Sequence, residues 1–384
     1  MQIIFDDNQL HKALAPFTLT RPVAEIRFGI LTIAETWQKM LANYFDNWEI
    51  RYNTASYLNV KYPAGNSQNA LTINGNIKPT EVIAEKTAEL KPGQKLVVNA
   101  IEVASYGPNA ETIINLELDN LVEITAPWHI FQKNGAALSI DFDLITKGKQ
   151  SQPLCETNRV SGKENIFIEP GAKVAHSIIN ANTGPIYIGK DAEVMEGSVI
   201  RGPFALCEHG VVKMAAKIYG PTTIGPYCKV GGEISNSVFQ AYSNKGHDGF
   251  LGNSVVGEWC NFGADTNSSN LKNNYSNVKV YSYASEKIEV SDVLFCGVLM
   301  GDHSKTGINT MLNTATVVGV SANIFGGGFP EKHIPSFTWG GVDRTDKFIL
   351  DKAFEVAQNM MARRKITLTE ADKSILTYLY DNLA

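Results

Sequence analysis

The segment Ile188–Leu206, IGKDAEVMEGSVIRGPFAL, carries an aliphatic residue at every sixth position: Ile188, Val194, Ile200 and Leu206. Ile224 with Val230, and Val256 with Phe262, repeat the interval. Gly often follows the apolar residue (Gly189, Gly225, Gly257, Gly263), and a small residue stands shortly after it. A period of six is neither the 3.6 of a helix nor the 2 of a strand. It is the mark of a parallel β-helix, in which each hexapeptide makes one short strand and one tight corner. The aliphatic side chain points into the prism, and glycine serves where a Cβ would clash at a corner. A β-sandwich with glycine-rich turns explains the glycines but not the sixes, nor the polar insertions between them at Ser243–Gly249 and Ser268–Ser276.

Upstream the texture differs. Met1–Phe5, Ala70–Ile73 and Lys95–Asn99 read as short buried strands, and Ile33–Tyr44 and Glu81–Leu90 as amphipathic helices. The alternation predicts an α/β domain over 1–150 with a largely parallel sheet. Lys147–Pro153 is a polar linker, and the β-helix is expected over 151–340. From 341 to 384 the pattern is helical again, with Thr367 and Glu370 fitting a capping box. These helices are expected to cap the open end of the prism.

The chain has 384 residues, 44% hydrophobic and 19% charged, with a net charge of -5. The charge argues against sequence-independent nucleic-acid binding, which needs a positive surface. Five cysteines, none in a CxxC pair, point to free thiols in a reducing compartment. No apolar stretch approaches the ~20 residues that span a bilayer, and the N-terminus lacks a basic signal region. A cytoplasmic location is expected. Seven histidines show no spacing that would gather three imidazoles on zinc, so no metal ligand is assigned in the prism.

His247 stands apart, flanked by Gly246 and Gly249 in a loop that interrupts the hexapeptides. Loops on rigid scaffolds carry function, and a neutral imidazole is a general base for acyl transfer. Asparagines follow at Asn261, Asn267, Asn270, Asn273 and Asn274, uncharged amides suited to sugar hydroxyls.

The run Gly246-His247, Phe250-Leu251-Gly252, Val256-Gly257, Asn261-Phe262-Gly263-Ala264-Asp265-Thr266 and Asn270-Leu271 resembles, in one gapless register, the acetyltransferase half of the bifunctional N-acetylglucosamine-1-phosphate uridyltransferase and glucosamine-1-phosphate acetyltransferase family. The resemblance implies His247 as general base, and Asn261 and Asn270 on the amino sugar. It also implies Gly263 and Ala264 along acetyl-CoA, with Ile308 and Gly326 on later coils of the CoA groove, and Glu233 at an acidic substrate position. Phe250 and Leu271 replace two family tyrosines, and Ser235 stands where a basic phosphate ligand is expected. Arg201, Lys213, Lys217 and Lys272 are the candidate replacements.

The N-terminal part resembles sugar nucleotidyltransferases more faintly, through Phe17-Thr18-Leu19-Thr20-Arg21-Pro22 and Ile73-Asn74-Gly75-Asn76. It lacks a Gly-rich phosphate loop, has Val23 for the phosphate lysine, and has Asn76 for the Mg²⁺-binding Asp. Mg²⁺ is expected only if this half is active. Asp6, Asp7 and Arg21 are the residues open to reuse there. The sequence thus predicts an acetyl-CoA-dependent N-acetyltransferase on a glucosamine-1-phosphate-like amino sugar phosphate, trimeric by resemblance. A non-catalytic sugar-nucleotide-binding or regulatory protein, and a full bifunctional uridyltransferase/acetyltransferase, are the alternatives.

Overall fold

The computed structural model describes residues 1–383. From Arg159 the chain winds as a left-handed parallel β-helix. Its first face stacks Ile166–Ile168, Ile186–Ile188, Phe204–Leu206, Thr222–Ile224, Val238–Phe239, Val255–Val256, Leu299–Met300, Val317–Val318 and His333–Ile334, all parallel. The second face begins with Lys173–Val174, Glu193–Val194 and Val211–Val212, and the third includes Val199–Arg201, Lys217–Tyr219, Glu233–Ser235 and Phe250–Gly252. The hexapeptide residues stack coil on coil, Ile188 on Leu206 on Ile224, and each is fully buried. Burying each such side chain contributes roughly 1.5–3 kcal/mol.

Two sequence expectations shift. Lys245 and Leu251 keep the spacing of six after Phe239, so Ser243–Gly249 is an ordinary corner and not an interruption. The true insertion opens and closes on the antiparallel bridge Leu271–Phe295 and contains the hairpin Lys279–Ser282 with Lys287–Val290.

The N-terminal sheet runs Glu49–Asn53, Gln2–Asp6, Ala70–Asn74, Ile101–Tyr106, Gln94–Val98, Thr112–Leu116. It is mixed rather than largely parallel, because Ile101–Tyr106 pairs antiparallel with both of its neighbours. Helices Ile33–Leu41 and Glu81–Ala88 lie where the periodicity put them. Helices His129–Gln132 and Asn134–Thr146, which the sequence reading did not assign, close this part.

The sheet-and-helix part packs directly on the β-helix. Outward residues of the first face (Val238, Val255, Leu299, Val317) share one apolar core with Phe5, Phe17, Val23 and Phe28. Val278, Val280, Val293 and Cys296 of the insertion join the same core. Polar ties reinforce the seam: Gln240 Nε2 donates to the Arg27 carbonyl at 3.0 Å, and Asn134 Nδ2 to Thr223 Oγ1 at 3.1 Å.

The helices Leu350–Ala362 and Glu370–Leu383 do not sit over the last coil. They run back along the prism, packing on Trp259, Val320 and Phe337 and on Leu58 of the N-terminal part. The prism ends instead in a hairpin, Thr338–Gly340 with Thr345–Lys347. The final helix is capped two residues later than expected: Asp372 N donates to Thr369 Oγ1 at 3.1 Å and Thr369 N to Asp372 Oδ2 at 3.0 Å. Among the described residues no helix is long and apolar enough to cross a membrane.

One buried ion pair organises the N-terminal part. Asp141 and Lys78 are both wholly buried, 2.7 Å apart. Asp141 also accepts from Ile30 N (2.7 Å), Leu31 N (2.8 Å) and Thr36 Oγ1 (2.8 Å). Burial pushes the carboxyl up and the ammonium down, and their mutual attraction opposes both shifts. Asp141→Ala leaves the buried Lys78 with carbonyl acceptors but no counter-charge and strands two backbone donors, and should cost about 3–5 kcal/mol in urea unfolding. A change below about 1 kcal/mol would show the pair to be dispensable.

Candidate functional site

On the second face, the residue before each inward position points outward. These residues form a row along the prism, Lys229, Asn244, Asn261 and Lys305, paired coil to coil. The row is the floor of an open groove of about 850 Å³. Its far wall is the first C-terminal helix, through Asn359, Met360, Arg363 and Arg364. Its rim includes Lys213, Gly246 and His247, together with Gly263 and Ala264.

His247 is exposed on the corner between the second and third faces, at the groove's edge. Later corners stack beneath it: Asp265 N donates to Asp248 O at 3.1 Å, and Asn309 N to Ala264 O at 2.8 Å. Ala264 and Ile308 therefore follow His247 down one edge of the prism, and Gly307 approaches the Phe325 side chain next to Gly326. Gly263 is required by proximity, since a Cβ there would sit 2.3 Å from Gly307 O. The structure thus brings His247, Asn261, Gly263, Ala264, Ile308 and Gly326 to one edge and its adjoining face.

The other sequence candidates lie elsewhere. Asn270 does not line the groove; its Nδ2 donates to Asn253 Oδ1 at 2.7 Å, beyond the far end of the third-face strand that follows His247. Lys217 and Glu233 pair at 3.5 Å on the third face, and Arg201 is exposed at that face's other margin. Lys272 is tied within the insertion, its Nζ donating to Asn277 O at 3.2 Å. Arg201, Lys217 and Lys272 do not converge as a phosphate site with His247.

Four groove cations and one buried lysine escaped the sequence reading. Lys229 and Lys305 sit at the outward position just before an inward residue, a signal present in the hexads. Arg363 and Arg364 reach the groove only because their helix folds back, which no local pattern reveals. Lys245 occupies an inward hexad position, stacked between Val230 and Phe262. It is 1% exposed, and its Nζ donates to the carbonyls of His247 (2.8 Å) and Asp248 (2.6 Å). Burial lowers the pKa of Lys245 to about 8, and does the same for Lys305.

Along the edge between the first and second faces runs a stacked column, His209, Tyr227, Tyr242, Trp259 and His303, with centroids 4.6, 5.4, 4.1 and 6.4 Å apart. Tyr242 and Trp259 form the groove's other shoulder.

In the N-terminal part, Arg21 faces the β-helix. It pairs with Glu258 at 2.9 Å and with Asp302, whose Oδ2 also accepts from Thr20 Oγ1 at 2.6 Å. Burial opposes its charge, but Asp302 and Glu258 more than compensate and hold its pKa above the usual value. Val23 is wholly buried, and Asn76 is 2% exposed, its amide donating to Ile124 O at 3.0 Å. Asp7 is buried and accepts from Val23 N at 2.8 Å and Thr54 Oγ1 at 2.5 Å. Asp6 accepts from Asn8 N at 2.6 Å.

Residues 2–150 match the sugar nucleotidyl transferase family. Over 322 residues, 80% of this chain and 58% of the relative, it is 22% identical to the bifunctional protein GlmU of Wigglesworthia glossinidia brevipalpis. The chain is similar to GlmU proteins at low identity, and the family match covers residues 2–150 alone. The GlmU of Methanocaldococcus jannaschii is 32% identical over 120 residues, covering 31% of this chain and 28% of that one. A bifunctional sugar-1-phosphate nucleotidylyltransferase/acetyltransferase of Sulfurisphaera tokodaii is 29% identical over 146 residues, 38% of this chain and 36% of its own. The chain therefore spans about a third of the length of most of the relatives it matches. Among solved structures, the N-acyltransferase AntD of Bacillus cereus aligns over 54% of this chain and 90% of its own at 13% identity and a TM-score of 0.25, too slight a likeness to bear on function.

Burial holds the imidazole of His303 down to about 4. Its unfolded-state pKa is near 6.5, so the unfolded chain binds a proton that the folded one refuses across that interval. Stability should therefore fall as pH drops from about 6.5 toward 4. His303→Phe, which preserves the stack on Trp259, should flatten that fall when urea midpoints at pH 5 and pH 7 are compared. An unchanged difference between the two midpoints would exclude His303 as its source.

Proposed function

We propose that the protein is an acyl-CoA-dependent N-acetyltransferase acting on an amino sugar phosphate, and that the groove beneath His247 is its active site. One observation carries the reading: an exposed imidazole stands at the head of a stacked edge (Ala264, Ile308) and beside an outward asparagine row. The edge suits an extended acyl-CoA arm, and Asn261 suits a sugar hydroxyl or amine. The names of the GlmU-like relatives, one of them a nucleotidylyltransferase/acetyltransferase, support the same chemistry.

In this reaction the acceptor amine attacks the thioester carbonyl while His247 takes its proton. The C–S bond then breaks, and the departing thiolate receives the proton from His247. Backbone N–H groups near Gly263–Ala264 are the candidate donors to the oxyanion. His247→Ala should lower thiol release from acetyl-CoA by about 10²–10⁴ with a competent amino sugar phosphate, with CoA binding retained by calorimetry. A full-rate variant would remove His247 from the mechanism.

The N-terminal half is read as a docking domain that has given up nucleotide transfer. Arg21 is committed to Glu258 and Asp302, Val23 offers no cation, and Asn76 is buried, with its Nδ2 donating to Ile124 O. A neutral amide is a poor Mg²⁺ ligand. Incubation with UTP, Mg²⁺ and sugar 1-phosphates should yield no pyrophosphate. Turnover there would restore the bifunctional reading.

A further inference from the structure

The groove is asymmetric about His247. The stacked edge Ala264–Ile308 leads toward later coils, whereas Lys213 and Lys229 lie on the two coils before it. Arg364 is anchored beside them, its guanidinium donating to the Tyr227 carbonyl at 3.5 Å, and Arg363 precedes it as the C-cap of the helix Leu350–Ala362. Among the described residues none of these four cations has a carboxylate within ion-pair distance, although fifteen such pairs occur in the chain. Lys229 is held below its ordinary pKa by burial and by the positive charges of Arg364, Lys213 and Arg363. Four mutually repelling cations are gathered on one open groove, with Glu193 acting on Lys229 from beyond ion-pair distance; their repulsion destabilises the free protein, and an anionic ligand relieves that cost.

We propose that Lys213, Lys229, Arg363 and Arg364 form the phosphate subsite of the acceptor, and that its charge suits a diphosphate, so that the acceptor is a nucleoside-diphosphate-linked amino sugar rather than a sugar monophosphate. The proposal rests on the acyl-transfer reading for the word acceptor, but not for the anion. It also accounts for Ser235, where a basic ligand was expected: the anion is held on the second face, by a helix from the far end of the chain, and not on the third. Arg supplies two-pronged contacts to phosphate oxygens, and Lys229 and Lys213 supply point charges opposite. Tyr242 and Trp259 border this subsite by their ring edges, since their faces are covered by each other and by Tyr227 and His303. CoA carries a diphosphate of its own and is the competing occupant.

Calorimetric titration of the full-length protein with inorganic pyrophosphate and with orthophosphate tests the subsite without requiring turnover. Pyrophosphate should bind at least about tenfold more tightly than orthophosphate, since it engages twice the charge. R363A/R364A and K213A/K229A should each weaken it on the order of 10²-fold, at a melting temperature no lower than that of the parent protein. H247A should leave it intact, which separates this subsite from the general-base assignment. CoA should bind alongside pyrophosphate without displacing it. Equal affinity for the two anions, indifference to both double variants, or displacement by CoA would each overturn the proposal, the last by assigning the cations to the donor.

Discussion

Every functional element of this molecule is positioned by the stacking of like side chains at an interval of six residues. An inward aliphatic must lie over its counterpart one coil away, because the prism interior has room for one side chain per face per coil and water has none. Once Ile188, Leu206 and Ile224 are in line, the outward residues have no freedom either. They fall into rows, and a row of Lys, Asn, Asn and Lys becomes a groove floor without further design. The corners likewise align, so that His247, Ala264 and Ile308 share an edge. Lys245 tests the rule, as a lysine at an inward position. It is tolerated because its stem packs between Val230 and Phe262 while its ammonium meets two carbonyls at the adjoining corner, and through them it steadies the turn that bears His247.

The N-terminal sheet depends on the prism as much as the groove does. Outward valines on the first face would be an exposed apolar patch in an isolated β-helix. Here they form half of a joint core, and Arg21 and Arg27 supply the polar stitching around it. That arrangement gives a physical reason for the sequence departures from the nucleotidyltransferase pattern at Arg21 and Val23. A guanidinium satisfied by Glu258 and Asp302 in a buried seam is not available to a triphosphate, and Val23, at the site of a phosphate lysine, belongs to the shared core.

The repeat was legible because each hexad states its own geometry: IGKDAEV and IGPYCKV need no tertiary information to be read. His247, Asn261 and the edge from Gly263 to Ile308 were legible by the same register. The mixed character of the N-terminal sheet was not, since Ile101–Tyr106 carries no mark of its strand direction. The capping pair was misread by two residues because Thr367 and Thr369 each have an acid three positions on, and only the helix itself chooses between them. Of the basic residues that the sequence offers for a phosphate, Lys213 lines the groove, whereas Arg201, Lys217 and Lys272 do not. Arg363 and Arg364 stand more than a hundred residues downstream and are brought back by a helix whose docking surface is an aromatic column spread over several coils.

The hairpin inserted at Leu271–Phe295 has a bearing on biosynthesis. Val278, Val280 and Val293 complete a core whose other members begin at Ile3. A ribosome delivers the sheet strands long before it delivers these valines or the first-face residues Val255 and Leu299. The nascent N-terminal half must therefore wait, with part of its apolar interior uncovered, until most of the prism has wound. Vectorial synthesis thus leaves the two parts to consolidate together, late, around one shared core.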